Sequence, residues 1–424
     1  MDGVQFPLIG NSIIMAVVIL VHVFVAFFAV GGSVLSVTAE WWGTKKQDDD
    51  YLRLARGLSK FLSDMMKING VLGVAIVVLT IGLWSQFGAF LFSVQFWPFL
   101  AEGGIFLLLM IFSVIYHNTW DSASRGLHIF YGICTFLSSL AAGVMINGIW
   151  AFMLVPGKWI ESQDRWDAFF TPILVESTTH LLLPCLINTV LLVFVWTYWK
   201  AKRAQGEEQR YLNKINKFTA SIGGVILFLQ PISGVLFLLK VKGATESLPA
   251  PNPWSQLWTA GGMARPFLFT MMGLATVAMI CAIIYWIMGH VKGRRFLLIS
   301  SLALFTTFFI GGFTRERARK PYLVWGTMYM NQQRVGAKNT SAASTDAPLN
   351  GEQVFLNHQC MSCHSFKGEG GSTGPDLTSL SGRYDKTKLM NFVRQPPEPA
   401  NMSMPPFSGP ENELEALVEY LLQD

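Results

Sequence analysis

Cys360, Met361, Ser362, Cys363 and His364 form one uninterrupted run. Two thiols three positions apart, followed at once by an imidazole, have a specific use. The thiols add to the two vinyl groups of a haem, and the imidazole then sits where it can ligate the iron. Half of a zinc site would use the same residue types, but a second Cys or His pair close by is lacking. Other reactive side chains lie in apolar surroundings: His22, His180 and Glu102, and Glu316 in the run Thr314-Arg315-Glu316-Arg317-Ala318-Arg319-Lys320-Pro321-Tyr322. Ionisable groups in such segments are costly, and are functional candidates for that reason.

The elements that must position these groups are mostly membrane helices. The 424 residues are 51% hydrophobic and only 14% charged, with 32 Phe and 14 Trp. A soluble domain carries about 25% charged residues. A spanning helix needs about 20 apolar residues. Eight segments qualify: 10–39, 65–88, 97–117, 127–153, 169–199, 216–240, 264–289 and 295–314. The net charge of +5 gives no sign of a nucleic-acid partner. Its placement is informative. Lys45, Lys46, Arg53, Arg56 and Lys60 follow the first span; Lys200, Lys202, Arg203, Arg210, Lys214 and Lys217 follow the fifth; Lys292, Arg294 and Arg295 precede the eighth. The alternate loops are poorer in Lys and Arg. The positive-inside rule therefore puts the N-terminus outside, and an even number of spans puts the C-terminus outside too. In a bacterial inner membrane that side is the periplasm, where c-type haem is attached. The N-terminus lacks a basic flank and an A-x-A-like site, so the first span is expected to serve as an uncleaved export signal.

Three regions are expected: a membrane part over 1–325, a linker over 326–349 and a small soluble domain over 350–424. Asn331 to Leu349 is rich in Asn, Ser, Thr, Ala and Gly; as a flexible coil it would span about 25 Å. The soluble part shows a short helix at Gly351–Phe355, a turn at Thr373-Gly374-Pro375-Asp376-Leu377 and Met404-Pro405-Pro406-Phe407. An amphipathic helix follows, with Leu414, Leu417, Val418, Leu421 and Leu422 on one face. This pattern closely resembles a class I cytochrome c. The resemblance implies that a methionine preceding a proline is the second axial ligand, which selects Met404 over its rival Met402. Thioether ligation raises the haem potential and suits electron transfer.

His22 and His180 each lie about a dozen residues into spans that begin on the same side, which puts them at one depth, about 18 Å in at 1.5 Å per residue. Two readings are open: satisfied core histidines, or ligands to haem. Glu102 is followed by Gly103-Gly104, which would let a flat macrocycle approach. Glu176, four residues before His180, shares its face and could accept from the imidazole or lie at the interface. His117, His128 and His290 fall near helix ends, where a histidine complements the helix dipole or snorkels. Cys134, Cys185 and Cys281 read as small buried hydrophobes. The four cations around Glu316 break the positive-inside rule and call for an anionic partner such as haem propionates.

With these residues collected, the membrane part resembles subunit I of the cytochrome bd quinol oxidases over about residues 10–325. The resemblance implies that His22 and His180 are haem ligands. Glu102 takes the place of an acid of the third helix, and Asn147-Gly148 resembles the outer end of the fourth. Glu316, Arg319 and Pro321 take the places of a Glu-x-x-Arg-x-Pro pattern whose glutamate ligates a high-spin haem. Two or three b-type haems are implied in the membrane, one of which could be d-type, beside one covalent haem c. A quinone and a second bd-like subunit are implied as well. The sequence departs from the family at several points. The family's Arg-Gln-Pro-Trp becomes Arg319-Lys320-Pro321-Tyr322, and a second acid expected two turns after Glu102 is Met110. The external quinol loop shrinks to about 241–263, with Lys242 and Glu246 as faint candidates for quinol contacts. A ninth helix gives way to the cytochrome c. The low-spin haem's methionine is Met271 or Met272, with Met271 preferred. The expected fold is all-α, a bundle of about eight transmembrane helices plus a small cytochrome c domain. The expected function is electron transfer between membrane haems on the quinol side and the outer c haem, with a soluble cytochrome c or similar protein as redox partner. Two alternatives stand: a bd-like oxidase fed by cytochrome c, and a non-catalytic wiring and anchor subunit of a larger respiratory complex. Membrane lipid is a partner in each.

Overall fold

Asn11–Lys46 form a single 36-residue helix, α1, because the stretch holds neither Pro nor a polar run to stop it. The structure, a computed structural model, describes residues 11–423 apart from 84, 163, 247–251, 260–261, 263, 340–349, 359, 361–363, 368, 371–374, 398–403, 405 and 408. Two compact units are present: Met1–Ser247 with Pro266–Arg315, and Leu248–Arg265 with Glu316–Asp424.

In the first unit α1 is followed by α2 (Asp49–Leu83), the short α3 (Ser85–Val94), α4 (Phe96–Asn118) and α5 (Arg125–Leu154). Short α6 (Trp159–Ser162) and α7 (Arg165–Phe169) lead into α8 (Leu174–Ala201) and α9 (Gly206–Thr245). The seventh and eighth spans, Arg265–His290 and Lys292–Arg315, are arms of α11 (Arg265–Asn339). Gly289 breaks that helix at φ 73°, ψ 168°, backbone that a residue with a Cβ adopts only under strain. A Cβ on Gly293 would lie 2.8 Å from the Tyr285 backbone, so the arms cross closely just past the elbow. All eight expected spans are among the described helices, and each is long and apolar enough to cross a membrane. Apolar side chains point outward, Val71 at 72% and Leu107 at 60% exposed, as helices bathed in hydrocarbon require.

Small residues and hydroxyls hold the bundle together. A Cβ on Gly31 would meet the Cys185 carbonyl oxygen at 2.1 Å, which brings α1 and α8 into backbone contact. Ser33 and Ser139 hydroxyls lie 2.8 Å apart between α1 and α5. The Ser36 hydroxyl donates to the Ala55 carbonyl of α2 at 2.9 Å. Short side chains let helices approach, and hydroxyls join them where no solvent competes.

The second unit holds α10 (Pro253–Trp258), α12 (Gly351–Asn357), α13 (Lys386–Arg394) and α14 (Glu411–Leu421), with a two-stranded antiparallel ladder of β1 (Ser365–Phe366) and β2 (Glu369–Gly370). That ladder is a small departure from an all-α expectation. Leu414, Leu417, Val418 and Leu421 are buried, as the amphipathic spacing predicts, against Val354, Phe355, Phe366 and Leu389. One expectation is corrected. A linker was expected from 326, with Asn331 onward as coil, yet α11 runs on to Asn339. Arg, Ala, Lys, Met and Gln, good helix formers, recur along the stretch after the apolar segment and outnumber its helix breakers, Pro321, Gly326 and Gly336. The rest of the expected linker, 340–349, lies outside the described residues.

Candidate functional site

The two membrane histidines sit in matching surroundings. His22 of α1 faces Gly73 of α2: a Cβ there would lie 3.3 Å from His22 Cε1. His180 of α8 faces Gly234 of α9: a Cβ there would lie 3.2 Å from His180 Cε1. Each ring thus rests on a glycine of the helix that follows its own. Val23 and Leu181, directly after the histidines, pack into one apolar cluster with Phe308 of α11. That places the two histidines on neighbouring levels of adjacent helices.

Their polar environments differ. His22 Nδ1 is buried and has no hydrogen-bond partner among the described residues. His180 Nδ1 lies 3.1 Å from the Ser233 hydroxyl and 3.2 Å from Gln230 Nε2, and its ring stacks on Phe237 at 5.6 Å. Asn69 Oδ1, one helical turn before Gly73 on α2, is also buried and unpartnered among the described residues. Gln230 Oε1, beside His180, is in the same condition. Buried polar atoms are nearly always satisfied, and an exception points to a missing ion, water or ligand. Three such atoms at the two histidines fit a group that brings its own metal and polar edge.

The remaining candidates are placed as follows. Glu102 is half-buried on α4, and Gly103 and Gly104 beside it have open space where a Cβ would stand. Met110, where a second acid was expected, packs with Ala29, Leu62, Met66 and Leu109 in an apolar cluster. Met271 is half-buried, its sulfur 3.4 Å from where a Cβ on Gly311 would be, while Met272 is exposed. Arg315 stacks on Trp150, 5.2 Å from the ring centre. Glu316 and Arg319 lie in the helical backbone of α11, and their side chains fall outside the described residues. Glu176 faces Lys240 of α9 at 3.6 Å rather than His180. Lys242 and Glu246 approach each other at 3.6 Å.

In the second unit His364 is held by the turn that the sequence marked. Its Nδ1 donates to the Pro375 carbonyl at 2.9 Å, which fixes the tautomer and leaves Nε2 as the nitrogen with a lone pair. Asp376 secures that turn, accepting from Ser365 Oγ and from the Thr378 backbone N–H at 2.7 Å each. Hydrogen bonds from Thr378 and Ser365 hold its carboxyl below the usual carboxylate range. Cys360 and Met404 are both half-buried against the domain core. Cys363 and Met402 lie outside the described residues. Among the described residues, a thiol, an imidazole with fixed tautomer and a thioether therefore share one small domain, a donor set that suits covalent haem with His and Met axial ligands.

One buried cluster escaped the sequence reading. Glu40, fully buried near the end of α1, accepts from Tyr116 Oη at 2.8 Å and from Arg125 Nη1 at 3.1 Å. His128 Nδ1 lies 2.6 Å from the same carboxylate. His128 Nε2 donates to the Tyr116 carbonyl at 2.8 Å. His128 is only 1% exposed, so the expectation of a snorkelling or dipole-complementing histidine is corrected. It is pulled inward by a carboxylate 88 positions away, a pairing that no local pattern encodes.

The comparisons with known proteins follow this division. The family model described as cytochrome bd terminal oxidase subunit I matches residues 12–244, which include His22, Glu102 and His180. The model described as cytochrome c oxidase, cbb3-type, subunit III matches residues 346–421. A putative cytochrome bd menaquinol oxidase subunit I of Bacillus subtilis (strain 168) is 26% identical over 227 residues, covering 50% of this chain and 50% of that protein. The chain thus spans about half the length of that relative. A nitric oxide reductase subunit of Stutzerimonas stutzeri is 28% identical over 125 residues, covering 26% of this chain and 86% of that one. The bd oxidase structure from Geobacillus thermodenitrificans superposes with a TM-score of 0.64 at 18% identity, covering 74% of this chain and 87% of that chain. At that identity the likeness shows the fold.

Proposed function

This chain belongs to the cytochrome bd terminal oxidase subunit I family, and we propose that it passes electrons between haems in its membrane bundle and a covalent haem c on its C-terminal domain. It is an integral membrane protein of haem-dependent redox type, with a bd-type part and a cytochrome c part. That joining of the two parts on one chain is the observation that carries the reading. Both ends of an eight-span bundle fall on the same side, and the Lys- and Arg-rich turns argue that this side is the periplasm of a bacterial inner membrane.

Bound haem supplies an iron that alternates between ferric and ferrous states, and the protein supplies ligands, orientation and electrostatics. In the proposal His22 and His180 would present imidazole nitrogens to b-type haems, Met271 would supply a thioether to the low-spin one, and Glu316 would supply a carboxylate. Arg319 and its neighbours balance propionate charge. Cys360 and Cys363 would form the thioether links to a c haem, and His364 and Met404 would hold its iron. A quinol oxidised at the bundle gives quinone, two protons and two electrons. The electrons leave singly through the c haem to a soluble cytochrome c or similar acceptor, which makes the activity quinol:cytochrome c oxidoreduction. The apolar packing of Met110 supports a relay over proton-coupled oxygen reduction. A second reading, a bd-like oxidase fed by cytochrome c, is supported by Glu102 and the open space at Gly103–Gly104. Both curated relatives are named as subunits, which supports assembly with a second bd-like chain or other respiratory subunits.

The test is anaerobic. The membrane-embedded complex is mixed with a reduced quinol and oxidised soluble cytochrome c. Quinol-driven reduction of the b haem, then the c haem, then the soluble acceptor is expected. Absence of that transfer, with oxygen uptake driven by reduced cytochrome c, would replace this reading with the oxidase.

A further inference from the structure

The helix that carries His180 also carries Pro184. Proline has no backbone N–H, so the carbonyl four residues earlier loses its helical donor. That carbonyl belongs to His180. Gln230 of α9 supplies a replacement, with Nε2 3.4 Å from the His180 oxygen. Ser233 completes the arrangement. Its hydroxyl donates to the Gln230 carbonyl at 2.8 Å, and its oxygen lies 3.1 Å from His180 Nδ1. Ser233 Oγ and Gln230 Nε2 thus both lie at Nδ1, at 3.1 and 3.2 Å, so the protein holds the ring by that nitrogen and leaves Nε2 to face a ligand. When Nε2 binds iron the ring hydrogen sits on Nδ1, and Ser233 Oγ, whose own hydrogen goes to the Gln230 carbonyl, is the acceptor within reach. His22 shows no counterpart: its Nδ1 is buried without a partner among the described residues.

We propose that Ser233 and Gln230 are positioning residues for His180. Ser233 accepts the Nδ1 hydrogen of the iron-bound ring, and Gln230 locks the ring's own backbone through the carbonyl that Pro184 frees. The inference rests on the reading of His180 as an iron ligand and extends it to the device that aims the ligand. It has an electronic consequence. An acceptor on Nδ1–H increases the electron density that Nε2 offers the metal and so stabilises the ferric state. Removing the acceptor raises the midpoint potential of the haem that His180 holds and leaves the c haem on the same chain unchanged.

The experiment uses the full chain in its native membrane complex, with four variants: H180A, S233A, S233T and Q230L. The readouts are the b-type α-band, the EPR signal of the ferric b haem and its midpoint potential, with the c haem as internal reference. H180A is expected to abolish the low-spin b signal and spare the c signal. S233A is expected to raise the b potential or to weaken haem b retention roughly 10–100-fold, and S233T is expected to restore native behaviour. Q230L should broaden or shift the ferric b EPR signal. If H180A keeps the b signal, His180 is not a ligand and both readings fall. If H180A abolishes it while S233A keeps native potential, spectrum and retention, the ligand stands and the positioning role is refuted. A defect in S233A that threonine does not rescue also refutes that role, because packing rather than the hydroxyl would then be responsible.

Discussion

Glu40→Ala should be among the most destabilising single changes in the bundle. The carboxylate is fully buried and receives three hydrogen bonds, from Tyr116 at 2.8 Å, Arg125 at 3.1 Å and His128 at 2.6 Å. His128 Nε2 must donate, since its partner is a carbonyl, and its Nδ1 faces the carboxylate. Removing Glu40 strands that nitrogen in a site 1% exposed. Tyr116 is partly compensated by Ser36, 3.2 Å away. Arg125 is 40% exposed and can turn to water. Breaking a buried charge pair from one side costs about 3–5 kcal/mol; with two of three donors cushioned, the lower end applies, about 3 kcal/mol. The assay is equilibrium unfolding of the membrane-embedded or micellar protein by SDS titration, followed by tryptophan fluorescence. His128→Ala should cost a similar amount. The double variant should cost well under the sum, with a coupling of about 1–3 kcal/mol. A Glu40→Ala cost under about 1 kcal/mol, or strict additivity with His128→Ala, would refute the reading of the two as one coupled buried cluster.

Other predictions concern the haem sites and the turns. Gly73→Val and Gly234→Val place branched carbons against His22 and His180, where even a Cβ is tight; each should lower haem b content and spare haem c, measured by pyridine haemochrome ratio. Met404→Ala should lower the c haem midpoint potential, since thioether ligation raises it, whereas Met402→Ala should leave it unchanged in a redox titration. Asp48, in the turn after α1, is raised by burial, the largest single effect, but the bonds to Lys214 at 2.6 and 2.7 Å, the Lys214 charge and the backbone N–H groups of Asp50 and Tyr51 together outweigh it, and its carboxyl lies below the usual value of 3.8. A depressed carboxyl contributes stability above its unfolded pKa, and that contribution is lost as pH falls through the folded value. Lys214→Ala should therefore move the acid limb of a stability profile to higher pH.

The spans and the haem motif were legible because their causes are local. A bilayer demands about 20 apolar residues in a row, and haem attachment demands two thiols and an imidazole within five positions. The buried face of α14 was legible for the same reason, its leucines recurring every three to four residues. Glu40 was not, because an acid near a helix end reads as interfacial until helices from 76 and 88 positions away close over it. His128 was misjudged with it. Glu176 had two readings, an acceptor for His180 or a residue at the interface, and the packing of α8 on α9 gave it Lys240 instead of His180. The hidden role of Pro184 had the same origin: proline reads as a helix irregularity, and its consequence for His180 shows only when Gln230 arrives from the next helix.

The central claim, that membrane haems and an attached haem share this chain, is tested most directly by haem analysis of the purified protein. Acid–acetone extraction followed by pyridine haemochrome spectra should leave one c-type haem bound to the polypeptide and release at least one b-type haem. A protein that holds only the covalent haem, with nothing extractable, would contradict it.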